Sequence, residues 1–450
     1  MADTFDKVAD FVLGSTPEHV SASTLKAAAL MTLDTLGITA SSGPMEAGVI
    51  ARDISAALYG CGDAGLGARM LFDGRRVSVA GAAFASATQT DNLDGHDGYN
   101  PTKGHIGVVA IPALAALAET VGDISGPEAL TTVIAGYEIA GRAGISLHAT
   151  VSDYHTSGAW NALGVAAMAA RMRGQNRDQL RQALGIAEYH GPRSQMMREI
   201  ENPTMLHDGS GWGAMVGISA AIMAEKGFTG APALTIEAAE VARHWDDLGV
   251  FWQMENQYVK PYPICRWAHA SIDGVRALMR KNDLRADQIA AIQVNTFDEA
   301  AHLFDGMPDT TSKAQYSLRF AVANMVLFGR IGLEHISGDG LADPAVAQFL
   351  DRITVTATDT HSRNFPQYRM ADVSLTLADG RRFASGDVHA TGGPEAPMAE
   401  PEIIAKFMEF ASPSLGKARA AAIRDAVLSL TEPAAKLSDL TAHLYAAPDR

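Results

Sequence analysis

Residues 158–170 read Gly-Ala-Trp-Asn-Ala-Leu-Gly-Val-Ala-Ala-Met-Ala-Ala, and residues 211–224 are composed in the same way. Helices that are apolar on nearly every face belong inside a large bundle rather than on a surface. Their small side chains let helix axes approach closely, as a stack of central helices requires. This pair commits the chain to a fold in which other helices surround them.

The surrounding helices are legible. From Asp3 to about Glu240, apolar residues recur at three- and four-residue spacing in 5–13, 27–36, 49–58 and 130–143. Ser125-Gly-Pro-Glu128 has the spacing of a capping box, and Asn176-Arg-Asp-Gln179 repeats it. Gly122, Gly174, Gly191 and Gly227 each close an apolar run. No fixed period recurs, which excludes a solenoid.

Near residue 260 the pattern changes. Lys260-Pro-Tyr-Pro-Ile-Cys-Arg-Trp-Ala-His269 reads as a rigid, non-helical crossing between domains. A helix over 270–280 follows, then a strand through Ile292, Val294 and Thr296, and a helix over 314–327. Asp343-Pro344 starts another helix. Ile353, Val355 and Ala357 alternate with threonines, and Val373, Leu375 and Leu377 lead to a turn at Asp379-Gly380 that returns through Phe383. From about Glu402 the chain is helical again. The fold class expected is mostly α: a large all-α helical domain over 1–265, completed by 400–450, with a smaller α+β lid domain inserted over 266–399.

At 450 residues two domains, or three, are expected. A net charge of −15 leaves no basic surplus for nucleic acid or for an anionic membrane surface. Two cysteines, Cys61 and Cys265, are too few for a disulfide scaffold or a Cys-based zinc site. The opening Met-Ala-Asp-Thr-Phe-Asp-Lys is acidic where a signal peptide is basic, and no apolar run reaches 18 residues. A cytoplasmic location is expected.

Chemistry concentrates in residues 91–105, Asp-Asn-Leu-Asp-Gly-His-Asp-Gly-Tyr-Asn-Pro-Thr-Lys-Gly-His, between the apolar helices 81–90 and 106–120. A polar loop held between buried helices points to function. Asp94, His96, Asp97 and His105 could be read as a metal site, but their spacing matches no established ligand pattern, so no metal is expected. No Gly-rich phosphate loop follows a strand, so no nucleotide cofactor is expected either. Elsewhere, His155 and His207 each precede a buried-looking helix, Lys260 and Arg266 lie in the crossing, and Tyr316, Arg319 and Phe320 open a helix of the smaller domain. Polar groups at breaks between apolar helices are costly unless paired or used.

Taken in order, several segments resemble the MmgE/PrpD family, which contains 2-methylcitrate dehydratase, cis-aconitate decarboxylase and iminodisuccinate epimerase. They are the loop from Asp94 to His105 with Gly107-Val-Val-Ala-Ile-Pro112, Gly136-Tyr-Glu-Ile-Ala-Gly-Arg142, His155 and His207-Asp-Gly209. Lys260-Pro-Tyr-Pro263 with His269, Ser317-Leu-Arg-Phe320 and Gly393-Pro-Glu-Ala-Pro-Met398 complete the set. The resemblance implies a helical domain with an α+β lid, a homodimer and no cofactor. It also implies a site containing Asp94, His105, His155 and Lys260, with Phe320 contributing from the lid. Thr204 stands where many members carry Lys, and Lys103 enters a loop one residue longer than in the decarboxylase pattern. These departures point to a related but different substrate.

The function expected is a cofactor-independent lyase acting on a small di- or tricarboxylate by dehydration or decarboxylation, through proton transfer at a carbon next to a carboxylate. The alternatives are an isomerase or epimerase of an amino- or imino-dicarboxylate, and a catalytically silent helical binding protein. His105 and His155 are the expected acid–base pair, with Asp94 orienting and Lys260 as the main cation. Lys103, Arg266, His207, Thr204 and Phe320 are the expected substrate contacts.

Overall fold

The computed structural model describes residues 3–62 and 64–448; Met1 and Ala2 of the N-terminal stretch read above lie outside them. The described chain is mostly α-helical, and it divides into two compact units. One comprises Met1–Met196, Leu206–Gln257 and Ala399–Arg450; the other comprises Met197–Met205 and Tyr258–Met398.

In the first unit, helix Gly158–Met172 is buried from Gly158 through Ala170 and packs on helices Gly126–Thr150 and Ser210–Glu225. At one crossing the axes are so close that a Cβ on Gly164 would run into the carbonyl of Gly136 and lie 2.8 Å from the Ala140 methyl. Only glycine fits there. Helices Ala22–Ser41, Val79–Asp91 and Gly107–Ala118 complete the buried layer around the polar loop, and Glu400–Leu415 returns to pack on Ala22–Ser41. The end signals act as their chemistry dictates. Ser125 Oγ accepts from Glu128 N–H at 3.2 Å, and Asn176 and Gln179 cap each other reciprocally.

A two-stranded antiparallel hairpin, β1 (Gly67–Arg69) and β2 (Arg76–Ser78), interrupts the helices and was not expected. Each strand has three residues, too few for alternation to show in sequence.

The second unit is built on a four-stranded sheet of β3 (Ile289–Thr296), β4 (Ile353–Ala357), β5 (Met370–Leu377) and β6 (Arg382–His389), in the order β4-β3-β5-β6. β3 pairs parallel with β4; the other pairings are antiparallel. Ala371, Val373, Leu375 and Leu377 form the buried face of β5, against which helix His269–Lys281 packs. The helix expected over 314–327 is two, Thr311–Gln315 and Leu318–Phe328, because Ser317 is extended and caps the second through Phe320 N–H. No helix among the described residues is long and apolar enough to cross a membrane.

Candidate active site

Residues 92–106 connect helix Val79–Asp91 to helix Gly107–Ala118 and are buried along most of their length. A buried loop has to satisfy its polar groups internally. Tyr99 N–H donates to Gly104 O at 2.8 Å across a short turn, and Asp94 and Lys103 take left-handed conformations, with φ of 51° and 57°. Non-glycine residues in that region concentrate where function holds them.

His105 is fixed on three sides. Its Nδ1 lies 2.6 Å from the Asp97 carbonyl oxygen, so Nδ1 carries the hydrogen. Nε2 is the nitrogen turned toward Asp208 Oδ2 at 3.5 Å and Asp94 Oδ1 at 4.0 Å. The His105 backbone N–H donates to Ser157 Oγ at 2.9 Å. Ser157 in turn donates through both its hydroxyl and its N–H to Asp208 Oδ1, at 2.7 and 2.8 Å. The entry to helix Gly158–Met172 thus holds both the imidazole and the carboxylate it faces.

A second imidazole, His96, packs against His105 with ring centroids 4.5 Å apart. His96 Nε2 lies 3.5 Å from Asp91 Oδ1. Burial, then the charges of Asp208 and Asp94, pushes the Asp91 carboxyl well above the ordinary range, while Ser210 N–H pulls it back. Under the loop, the Asp97 carboxyl accepts from Tyr137 Oη at 2.9 Å and from Gly107 N–H. Burial, then the charge of Asp34, raises Asp97 to about 7.

This carries a pH consequence. The folded chain retains on Asp97 a proton that the unfolded chain releases near pH 3.8. Its contribution therefore lowers stability as pH rises from about 4 to about 7, by at most about 1.4 kcal/mol per pH unit for one proton, and levels off above. Glu138, raised to about 7 chiefly by burial, acts in the same direction. Asp97→Asn is expected to flatten, without abolishing, the fall in unfolding free energy between pH 5 and 7. Denaturant titrations giving the same slope for variant and parent would contradict it.

His155 lies two residues before Ser157. Its backbone N–H donates to His148 Nε2 at 3.1 Å, and the two rings run nearly parallel with centroids 6.5 Å apart. Burial, then the neighbouring His155, lowers His148 to about 4; Lys103 adds to the effect from within the same neighbourhood. Lys103 Nζ donates to the Asn100 carbonyl and side-chain oxygens at 2.8 and 3.0 Å. His207 is buried beside Asp208, with φ of 43°.

The remaining expected residues belong to the second unit. Lys260 is buried, between Val259, whose N–H donates to Gly392 O at 3.0 Å, and Tyr262, whose hydroxyl donates to Asp273 Oδ1 at 2.7 Å. Phe320 is fully buried and Thr204 exposed. Arg266 stacks over Tyr258 at 4.6 Å and donates to the carbonyls of Thr391 and Ala390 at 2.6 and 2.9 Å. Its guanidinium braces the exit from β6, so the substrate contact expected of it competes with those carbonyls.

Sequence reading overlooked Asp208 beside the chosen His207, and His148 inside helix Gly126–Thr150. The signal for Asp208 was its place two residues before the Ser210 helix start, which reads equally as a cap. His148 carried no signal, being one polar residue near the end of a long helix.

Asp94, His96 and His105 also offer three ligand atoms within 4.8 Å of one another, a donor set suited to a transition-metal dication. His361, on helix Asp359–Asn364, forms a second such group in the other unit with Asp372 of β5 and Asp387 of β6.

Residues 6–243 match the family model of the MmgE/PrpD N-terminal domain, and residues 262–432 match that of the MmgE/PrpD C-terminal domain. The chain belongs to the MmgE/PrpD family, whose members are generally enzymes of the dehydratase or lyase kind. A direct comparison with curated proteins found no match.

Proposed function

We propose that this chain is a cofactor-independent lyase that moves a proton at a carbon next to a carboxylate in a small di- or tricarboxylate. The observation that carries the reading is His105. A backbone carbonyl fixes the proton on Nδ1, and Nε2 faces the carboxylates of Asp94 and Asp208. An imidazole so held can take a proton on Nε2, and the two carboxylates stabilise the imidazolium that forms. His155 handles the opposite proton, and Lys260 supplies positive charge for the enolate that develops at the substrate carboxylate. In a dehydration His105 takes the proton at carbon and the neighbouring hydroxyl leaves as water with the proton from His155. In a decarboxylation carbon dioxide leaves its bonding electron pair on the carbon skeleton, and a protonated imidazole delivers the proton that takes up that pair.

Isomerisation of an amino- or imino-dicarboxylate is the second reading, favoured by Thr204 standing where many members carry Lys. The test is incubation with a panel of polycarboxylates in deuterated water, followed by NMR. Deuterium at carbon with a new alkene or loss of carbon dioxide supports the lyase. Deuterium with inversion and no loss of atoms supports the isomerase. No exchange with any member of the panel sinks both. The chelated protein is expected to retain full exchange; recovery only on adding one divalent ion would make Asp94, His96 and His105 metal ligands instead.

Lys103 is proposed to bind a substrate carboxylate. Lys103→Ala should raise KM by roughly 10–100-fold, the scale of one lost charged contact, with kcat little changed. An unchanged KM would remove it from the site.

The assembly is proposed to be a homodimer. Helix Glu46–Leu58 exposes Ile50, Ile54 and Leu58 in one stripe, and beyond it Tyr59, Phe84 and half-exposed Trp212 lie edge to face in a row. A stripe of this kind marks an interaction surface. Sedimentation should give twice the chain mass, and Leu58→Asp should shift it toward the monomer; an unshifted mass would place the interface elsewhere.

A further inference from the structure

The buried cation of the returning C-terminal segment has no part in the proton transfer proposed above. Lys406, on helix Glu400–Leu415, is only 5% exposed. Its ammonium donates to Asp34 Oδ1 on helix Ala22–Ser41 and to the carbonyl oxygen of Gly95 at 2.7 Å. Gly95 lies between Asp94, which is left-handed, and His96, which packs on His105. One ammonium thus joins the last third of the unit's chain, its second helix and the middle of the polar loop.

Burying an ammonium is costly unless it is paired and its hydrogens are used. A salt bridge with Asp34 alone would meet the charge requirement. The additional bond to a loop carbonyl sets where the loop backbone runs. Asp97, two residues past Gly95, accepts from Tyr137 Oη and Gly107 N–H on one side and presents its carbonyl to His105 Nδ1 on the other. The loop is therefore pinned at Gly95 from helix Glu400–Leu415 and at Asp97 from two further helices. His96 and His105 are oriented between these pins.

We propose that Lys406 is a positioning residue: its bond to the Gly95 carbonyl holds the 94–97 backbone in the course that orients His105 toward Asp94 and Asp208. The proposal rests on His105 acting as a proton-transfer group, and one arm of its test does not depend on turnover. Lys406 reaches His105 through the loop, by its bond to the Gly95 carbonyl and by its charge on Asp97, whose carbonyl holds Nδ1. A purely structural Lys406 would serve to neutralise Asp34, and that role can be separated from the Gly95 bond. In Lys406→Met/Asp34→Asn both charges are removed together, which also removes their opposing effects on the Asp97 carboxyl and leaves the Gly95 carbonyl without its ammonium.

The experiment compares Lys406→Met, the double variant and the parent in the full chain. Thermal unfolding is measured first. Carbethoxylation of His105 by diethylpyrocarbonate is then followed across pH and located by mass spectrometry, and kcat and KM are measured on a turned-over polycarboxylate. The double variant should unfold below the parent by the cost of one stranded carbonyl, and Lys406→Met, with Asp34 left buried without its ammonium, further below it. In the double variant His105 should label roughly tenfold faster as the loop opens, with a displaced pH profile. Its kcat should fall by about 10²-fold, the scale of a misplaced catalytic group, with KM within about threefold. A folded double variant with the parent's labelling profile and kcat would overturn the proposal and leave Lys406 as a charge partner alone. Turnover by His105→Gln at the parent's rate would instead overturn the proton-transfer reading, and the labelling arm would still decide whether Lys406 sets the loop.

Discussion

His105→Ala is expected to lose about 10²–10⁴-fold in turnover, the range of a general acid–base group, and His155→Ala to lose a similar factor. The two losses differ in their structural cost. His105 is 6% exposed and its Nδ1–H satisfies the Asp97 carbonyl, so alanine removes packing and strands a buried acceptor. His155 is more exposed and its backbone, not its ring, makes the bond to His148. His155→Ala should therefore unfold close to the parent temperature, and His105→Ala below it. His105→Gln keeps most of the volume and an amide that can donate to Asp97 O, but no group that ionises near neutrality. It should recover much of the lost stability and none of the turnover. Rates on the polycarboxylate that exchanges in deuterated water, measured alongside thermal unfolding, check both parts. A folded variant at either position with near-parent turnover would strike that residue from the proposed chemistry.

The deuterium readout separates the roles further. A residue that removes the proton at carbon controls exchange itself. One that delivers the opposite proton controls product formation more than exchange. Loss of exchange in one variant, with partial exchange surviving in the other, would assign base and acid.

Parts of this architecture were legible because their signals are local. Helix Gly126–Thr150 announces its start through Ser125 and Glu128, and the burial of residues 158–170 follows from composition alone. The β5–β6 hairpin shows in the alternation of Val373, Leu375 and Leu377 before the turn at Asp379-Gly380. The loop at residues 92–106 shows because polar residues crowded between two apolar helices are costly to bury without a use. What stayed hidden is pairing over long separations. Asp34 reads as one charge in an apolar helix and Lys406 as one charge on an amphipathic one. Only the fold brings them together across 372 positions. Asp208 was hidden differently: an acidic residue before a helix has an ordinary use as a cap, and that reading conceals its approach to His105. The break at Ser317 was missed because the apolar periodicity runs through it, while the serine cap that splits the helix is a single residue.

Gly107→Ala should damage both stability and turnover through a single added methyl. Gly107 opens the helix after the polar loop, and its N–H donates to the Asp97 carboxyl. A Cβ at this position would collide with that carboxyl and with the Tyr137 hydroxyl, and would lie 2.7 Å from Thr35 Oγ1. None of the three has room to retreat, since Asp97, Tyr137 and Thr35 are all fully buried. Relief has to come from the loop backbone, and moving Asp97 moves the carbonyl that holds His105 Nδ1. Overpacking of this kind costs about 1–3 kcal/mol. The displaced imidazole should lower kcat by about 10²-fold even in the fraction that remains folded. Gly122→Ala is the control, because a Cβ there meets nothing within 4 Å, and it should leave both quantities unchanged. Active-site titration with a tight-binding competitive polycarboxylate, combined with denaturant unfolding, separates the two effects. If Gly107→Ala loses stability but turns over normally per folded site, Asp97 does not transmit its position to His105, and the orientation of that ring has another source.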